Sequence, residues 1–158
     1  MNFAVTENIS FPKARGFTLI ELIVATAILV ILTGMALPMA RVTIKREREH
    51  VLRRDLWEMR DAIDRYKDAA DRGAFQAKVG TEGYPPDLET LVNGMDVNGK
   101  KVRFLRRIPI DPFTGKADWG MRSDQDDPKS QSWGGQCVFD IYSKTMEKDA
   151  SGRPYAEW

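Results

Sequence analysis

Glu21 stands at the start of a run that carries no other charge: residues 22–40 are 19 in a row without an ionisable side chain. A carboxylate in hydrocarbon costs roughly 2.5–3.5 kcal/mol on insertion scales, so by default it has a partner and a task. The chemistry open to Glu21 is ion pairing. Five residues before it stands Gly16, a small residue at the junction between a polar segment and the apolar run.

Other reactive residues are few. His50 is the single histidine and falls on a charged helical face, where an exposed role is expected. Cys137 is the single cysteine, which excludes an internal disulfide and a cysteine-based zinc site. It sits beside Val138 and Phe139, and burial is expected for it. No Gly-x-Ser-x-Gly, Walker loop or His-Glu-x-x-His occurs. No carboxylate pair has an apolar setting that would split its pKa values, so the sequence reads as a non-enzyme. The acidic run Asp124, Gln125, Asp126, Asp127 is followed by Pro128 and Lys129 where an EF-hand loop needs a ligand and a glycine. A solvated loop is expected there. The net charge is +1, with 24 basic and 23 acidic residues, so no bulk field argues for nucleic acid.

The elements that would position Glu21 follow from periodicity. As a helix, residues 22–40 span about 28 Å, close to the roughly 30 Å of a bilayer core. Gly34 and Pro38 are weak points in that helix, tolerated in membrane segments when neighbours satisfy the freed backbone groups. Beyond it, Leu52, Leu56, Met59, Ile63, Tyr66 and Ala70 recur at spacings of 4, 3, 4, 3 and 4, an amphipathic stripe built for a core. Glu49–Arg53, Arg54–Glu58, Asp61–Arg65 and Asp68–Arg72 have i,i+4 spacing. Gly73 is a stop signal. Residues 17–72 as one helix would measure about 84 Å. Residues 41–54 hold six basic side chains (Arg41, Lys45, Arg46, Arg48, Arg53, Arg54) against Glu47 and Glu49. Taken alone, that flank would be placed in the cytoplasm.

The N-terminus differs from a secretory signal, whose cleavage site follows its apolar region. Here a polar leader with Lys13 and Arg15 precedes the apolar run. Gly16-Phe17-Thr18-Leu19-Ile20-Glu21-Leu22 resembles the class III signal of type IV pilins and pseudopilins. The resemblance implies cleavage after Gly16 by a prepilin peptidase, methylation of the Phe17 amine, and a glutamate, Glu21, at the fifth position of the mature chain. It supplies the missing cation: the new ammonium of Phe17, on the same chain or on a neighbour in a filament. It also implies local melting between Gly34 and Pro38 on assembly. The leader then lies in the cytoplasm and the basic flank outside, against the charge rule. The expected organisation is a cleaved leader at 1–16, an apolar transmembrane and assembly helix at 17–40, its amphipathic continuation at 41–72, and a globular periplasmic head at 73–158.

The head reads as α+β, giving a long helix packed on a small antiparallel sheet, the pilin-like lollipop. Tyr84-Pro85-Pro86-Asp87 leads into a short helix that Asp87 would cap, with Leu88, Leu91 and Val92 toward the core. Val97-Asn98-Gly99-Lys100 is a tight turn. Residues 103–110 are ambiguous, and Asp111-Pro112-Phe113-Thr114-Gly115 is a turn. Strands are expected at 117–121 and 136–143. These segments, with Ile108-Pro109-Ile110-Asp111-Pro112 and Phe139-Asp140-Ile141-Tyr142-Ser143, resemble the major pseudopilin of type II secretion systems. That resemblance implies a three-stranded sheet and, in many members, calcium in the loop after the last strand. Here that loop is 144–153. Only Asp149 matches an expected ligand and the paired acids further on are missing, so no calcium is expected.

The function implied is a structural subunit of a pseudopilus, assembling in the bacterial inner membrane as a piston for protein secretion. Its partners would be further copies in a helical filament, the prepilin peptidase, minor pseudopilins, an inner-membrane assembly platform, and the lipid bilayer before assembly. The alternatives are a subunit of an extracellular type IV pilus, or a membrane-anchored periplasmic binding module.

Overall fold

The computed structural model describes residues 16–158, with the backbone alone for residues 35–40. The chain is α+β. Helix α1 (Leu19–Asp71) is followed by α2 (Leu88–Asn93), strands β1 (Met95–Val97), β2 (Lys100–Val102), β3 (Gly120–Arg122) and β4 (Asp140–Tyr142), and a closing 3-10 turn (Tyr155–Glu157). Two compact units divide it, Met1–Thr43 and Ile44–Trp158, and α1 contributes to both.

Helix α1 has defined ends. Thr18 caps it, its hydroxyl oxygen accepting the Glu21 amide at 3.3 Å. At the far end Gly73 takes a φ of +70°, donates to the Ala70 carbonyl, and lets Ala74 N–H reach back to Ala69. These two bonds form a Schellman stop, which needs a residue free to adopt the left-handed conformation.

In the unit Ile44–Trp158 the predicted stripe is the core. Leu52, Leu56, Met59, Ile63 and Tyr66 are buried, and Ala62 joins them, while Ala70 stays half-exposed. They pack with Leu88, Leu91, Phe104, Leu105, Trp119, Val138, Ile141 and Tyr155. The charged face behaves differently from the spacing rule. Asp61–Arg65 forms at 2.9 Å, and Lys67–Asp71 forms at 2.6 Å. Arg54 instead pairs with its neighbour Asp55, Arg72 donates to the Asp68 carbonyl, and Glu49 accepts the Tyr155 hydroxyl. An exposed i,i+4 pair is worth only a few tenths of a kcal/mol, so a nearer group on the helix at Arg54 and Arg72, and the tertiary Tyr155 hydroxyl at Glu49, displace it.

Asp87 caps α2, its carboxylate accepting from Thr90 N at 2.7 Å. Gly94 ends α2 at φ +76°, where a Cβ would strike the Val102 carbonyl, so glycine is required. The Asn98-Gly99 turn joins β1 and β2 antiparallel, with Met95 opposite Val102 and positive φ at both turn residues.

The expected three-stranded sheet is not what forms. Two separate two-stranded ladders do, β1–β2 and β3–β4. The strands expected at 117–121 and 136–143 shrink to three residues each, with Gly120 opposite Tyr142 and Arg122 opposite Asp140. Polar side chains take over from the ladder at its ends. Asp111 accepts from Ser143 Oγ, and the Trp119 indole donates to Pro109 O. Gly120 is needed because the Tyr142 ring occupies the place of its Cβ.

Candidate functional site

Around the predicted cleavage and pairing residues the backbone is simple and open. Gly16 precedes the helix in exposed coil, and nothing lies within 4 Å of where its Cβ would be. Phe17 is 82% exposed, and Thr18 is the cap. Thr18 and Glu21 have the Thr-x-x-Glu spacing of a capping box, whose Thr18 half is formed. That spacing was present in the sequence and marks Thr18 as a residue of the site. Cutting after Gly16 leaves one residue before the cap. A free ammonium there faces the positive end of the helix dipole, and Glu21 in the first turn is placed to offset it.

Through the rest of the first unit the apolar side chains of residues 19–34 point outward. Two hydroxyls are satisfied within the helix: Thr26 donates to Ile23 O at 2.9 Å and Thr33 to Leu29 O at 2.7 Å. This removes the cost of bare hydroxyls in an apolar setting. Gly34 lies within α1 with open space around it, and α1 runs through Pro38, whose side chain is outside the described residues. The leader residues 1–15 are also outside them. Among the described residues no helix is long and apolar enough to cross a membrane.

The loop that would take calcium is closed by its own donors. Asp149 Oδ1 accepts Ser151 N at 2.8 Å, Ser151 Oγ at 2.6 Å and Arg153 N at 3.0 Å. Asp149 Oδ2 faces the Trp158 indole N–H at 3.3 Å and Arg153 Nε at 3.6 Å. The bond from the Ser151 hydroxyl, opposed by burial and reinforced by the backbone N–H groups of Arg153 and Ser151, lowers the Asp149 pKa to about 2. Calcium requires six to eight oxygen lone pairs. This loop instead directs N–H and O–H groups at Asp149, and Glu147, its other acid, is exposed, so its residues do not fit the ion. No group of three potential ligands occurs among the described residues.

A network ties the end of the chain to α1. The Arg60 guanidinium binds Asp140 at 2.7 Å, Ile141 O at 3.1 Å and Trp158 O at 2.8 Å. Buried Arg122 reaches Asp140, Ser130 O and Ala156 O. The Arg53 guanidinium lies 4.1 Å from the centre of the Trp158 ring, which meets Tyr155 edge-on. Burial, reinforced by the bond to Glu49, raises the Tyr155 phenol well above its ordinary value. Sequence reasoning missed Arg60, Arg122 and Asp140, because their partners lie 8 to 98 residues away and no local spacing marks them.

The remaining sequence-selected residues are structural. Cys137 is buried and donates to Asp124 Oδ1 at 3.4 Å; burial raises its thiol pKa. The 124–135 loop is more ordered than a solvated loop. Asp126 accepts Ser123 N and Gly134 N, and those bonds lower its pKa. His50 is exposed.

The model of the family described as the prokaryotic N-terminal methylation motif matches residues 11–37. No curated protein and no solved structure matches the chain. The chain therefore carries a type IV pilin-like methylation motif at its N-terminus. That motif implies prepilin peptidase processing and filament assembly.

Proposed function

We propose that this chain is the repeating structural subunit of a type II secretion pseudopilus, cut after Gly16, methylated on Phe17, and stacked through its apolar helix with Glu21 as the register. One observation carries the reading. A methylation motif covers a glycine, an exposed phenylalanine, a capped helix start and a first-turn glutamate at the head of an outward-facing apolar helix. The role is structural, not enzymatic. Outward apolar side chains need a solvent of their own kind, lipid before assembly and neighbouring stems after it. In the bilayer the uncharged run 22–40 spans the inner membrane with the Ile44–Trp158 unit in the periplasm. In the filament Glu21 meets the Phe17 ammonium of a neighbour, and the helix loosens between Gly34 and Pro38. The narrower choice of a pseudopilus is supported by the Asp87-capped helix and the Asp111 turn, which fall on the segments that resemble major pseudopilins.

The test is co-expression with a prepilin peptidase. Mass spectrometry is expected to find a chain that begins at Phe17 and carries one methyl group. Microscopy of cells making the whole machine then decides the finer reading. Loss of secretion without surface fibres supports the pseudopilus; long surface fibres make it a pilus. A chain that binds a specific ligand and never forms filaments would instead be a membrane-anchored binding module.

A further inference from the structure

The head carries an amphipathic surface at the end where α1 enters it. Lys45 lies five residues beyond Ala40, so at most about 18 Å of chain separates it from the uncharged run. Its ammonium donates to Lys148 O at 2.6 Å, which brings the 144–148 loop to the same end. Met146 at the tip of that loop is 98% exposed. A second loop joins the first at its root through the bond from Ser143 to Asp111, and Ile110 beside that bond is 62% exposed. Ile110 and Arg107 line, with Val51 and Arg54 of α1, a groove of about 700 Å³.

Charge follows the same pattern. Arg46, Arg48, Arg107 and Lys148 are exposed, and among the described residues their side chains have no partner. Some nearby acids are engaged, Glu49 by Tyr155, Asp118 by Lys144 and Asp149 by Arg153, while Glu47, Glu147 and Glu58 of the groove are exposed and are outnumbered by the cations around them. Exposed apolar tips ringed by unpaired cations match a lipid interface, where the tips enter the headgroup layer and the cations meet phosphates. A protein groove is the poorer match, because separate exposed tips offer it no contiguous apolar face.

We propose that this end of the head docks on anionic phospholipid headgroups while the subunit waits in the bilayer, with Met146 and Ile110 as the inserted tips and Arg46, Arg48, Arg107 and Lys148 as the phosphate-binding cations. The proposal rests on the reading that residues 22–40 span the membrane. It gives the basic flank a function on the side of the membrane where the charge rule does not expect it.

Full-length Met146→Cys and Val79→Cys proteins, each labelled with a small fluorophore, test the proposal. Val79 is equally exposed at 98% and follows the opposite end of α1, and Cys137 is buried and stays unlabelled. The proteins are reconstituted in vesicles of phosphatidylcholine, with or without phosphatidylglycerol, that contain brominated quencher lipid. The label at 146 is expected to lose most of its emission in phosphatidylglycerol vesicles and to recover it in 1 M salt, where screening falls to about 3 Å. The label at 79 stays bright throughout. Combining Arg46→Glu with Lys148→Glu is expected to abolish the quenching at 146. Equal signals at 146 and 79, or equal quenching with and without phosphatidylglycerol, overturn the proposal. So does a response at 146 that appears only in assembled filaments, which would assign the surface to a second copy. A chain that fails to float with any vesicle overturns the membrane-spanning reading instead.

Discussion

Between residues 19 and 34 the large apolar side chains stand outward; between residues 52 and 66 the same residue types are sealed in a core. Both stretches belong to one helix, α1. In the second stretch, apolar residues at helical spacing meet loops and strands of their own chain, and burial stabilises the unit with about 1.5–3 kcal/mol per large side chain. In the first, apolar residues lie all round the helix, and their side chains are exposed among the described residues. The second unit is thus built to fold, and the first to be completed by something else. Assembly and folding should therefore respond to different mutations.

The sharpest break between the two is expected at Glu21. Glu21→Ala should leave the thermal unfolding of the head unchanged and abolish filaments, because stranding a buried charge costs about 3–5 kcal/mol at every contact. Normal filaments by electron microscopy would end the register reading. Leu56→Ala should do the reverse. It is expected to remove about 2–5 kcal/mol from the head in denaturant titrations while cleavage after Gly16 continues.

Asp111→Ala comes next. Its buried carboxylate holds Phe113 N at 2.8 Å, Thr114 N at 3.3 Å and Ser143 Oγ at 2.6 Å. Leaving such groups unpaired costs about 1–3 kcal/mol, read as a lower unfolding midpoint. At Asp149 the signature is pH. The folded carboxyl has a pKa near 2, below the ordinary 3.8, so its contribution is complete above pH 4 and fades as pH falls toward 2. Trp158 fluorescence should report that step, Asp149→Asn should remove it, and chelators should change neither. Lys67→Ala is the smallest. It breaks an exposed pair with Asp71, and a change within about 0.5 kcal/mol is expected in the same titration.

Much of this molecule is legible as local pattern. The stripe from Leu52 to Tyr66, the Asp87 cap, the Asn98-Gly99 turn and the Gly73 stop each depend on residues a few positions apart, and each is found where spacing places it. The strands were legible only as locations. Three-residue ladders have too little periodicity to fix their ends, and the choice between one sheet and two belonged to long-range packing. The i,i+4 pairs on α1 were over-read for a related reason. Spacing shows which charges can meet, and it cannot show that Tyr155 or Trp158 will arrive from more than a hundred residues away to take Glu49 and Arg53.

Sequence alone determined the parts whose physics is local: where the helix stops, which residues face its core, and that one carboxylate stands at the start of an uncharged run. Tertiary structure decided what required distant chain to converge. Asp149 became the anchor of a closed loop, because Ser151, Arg153 and Trp158 fold back on it. Arg60 and Arg122 became the ties of the chain end, because their carbonyl and carboxylate partners are assembled only when the core forms.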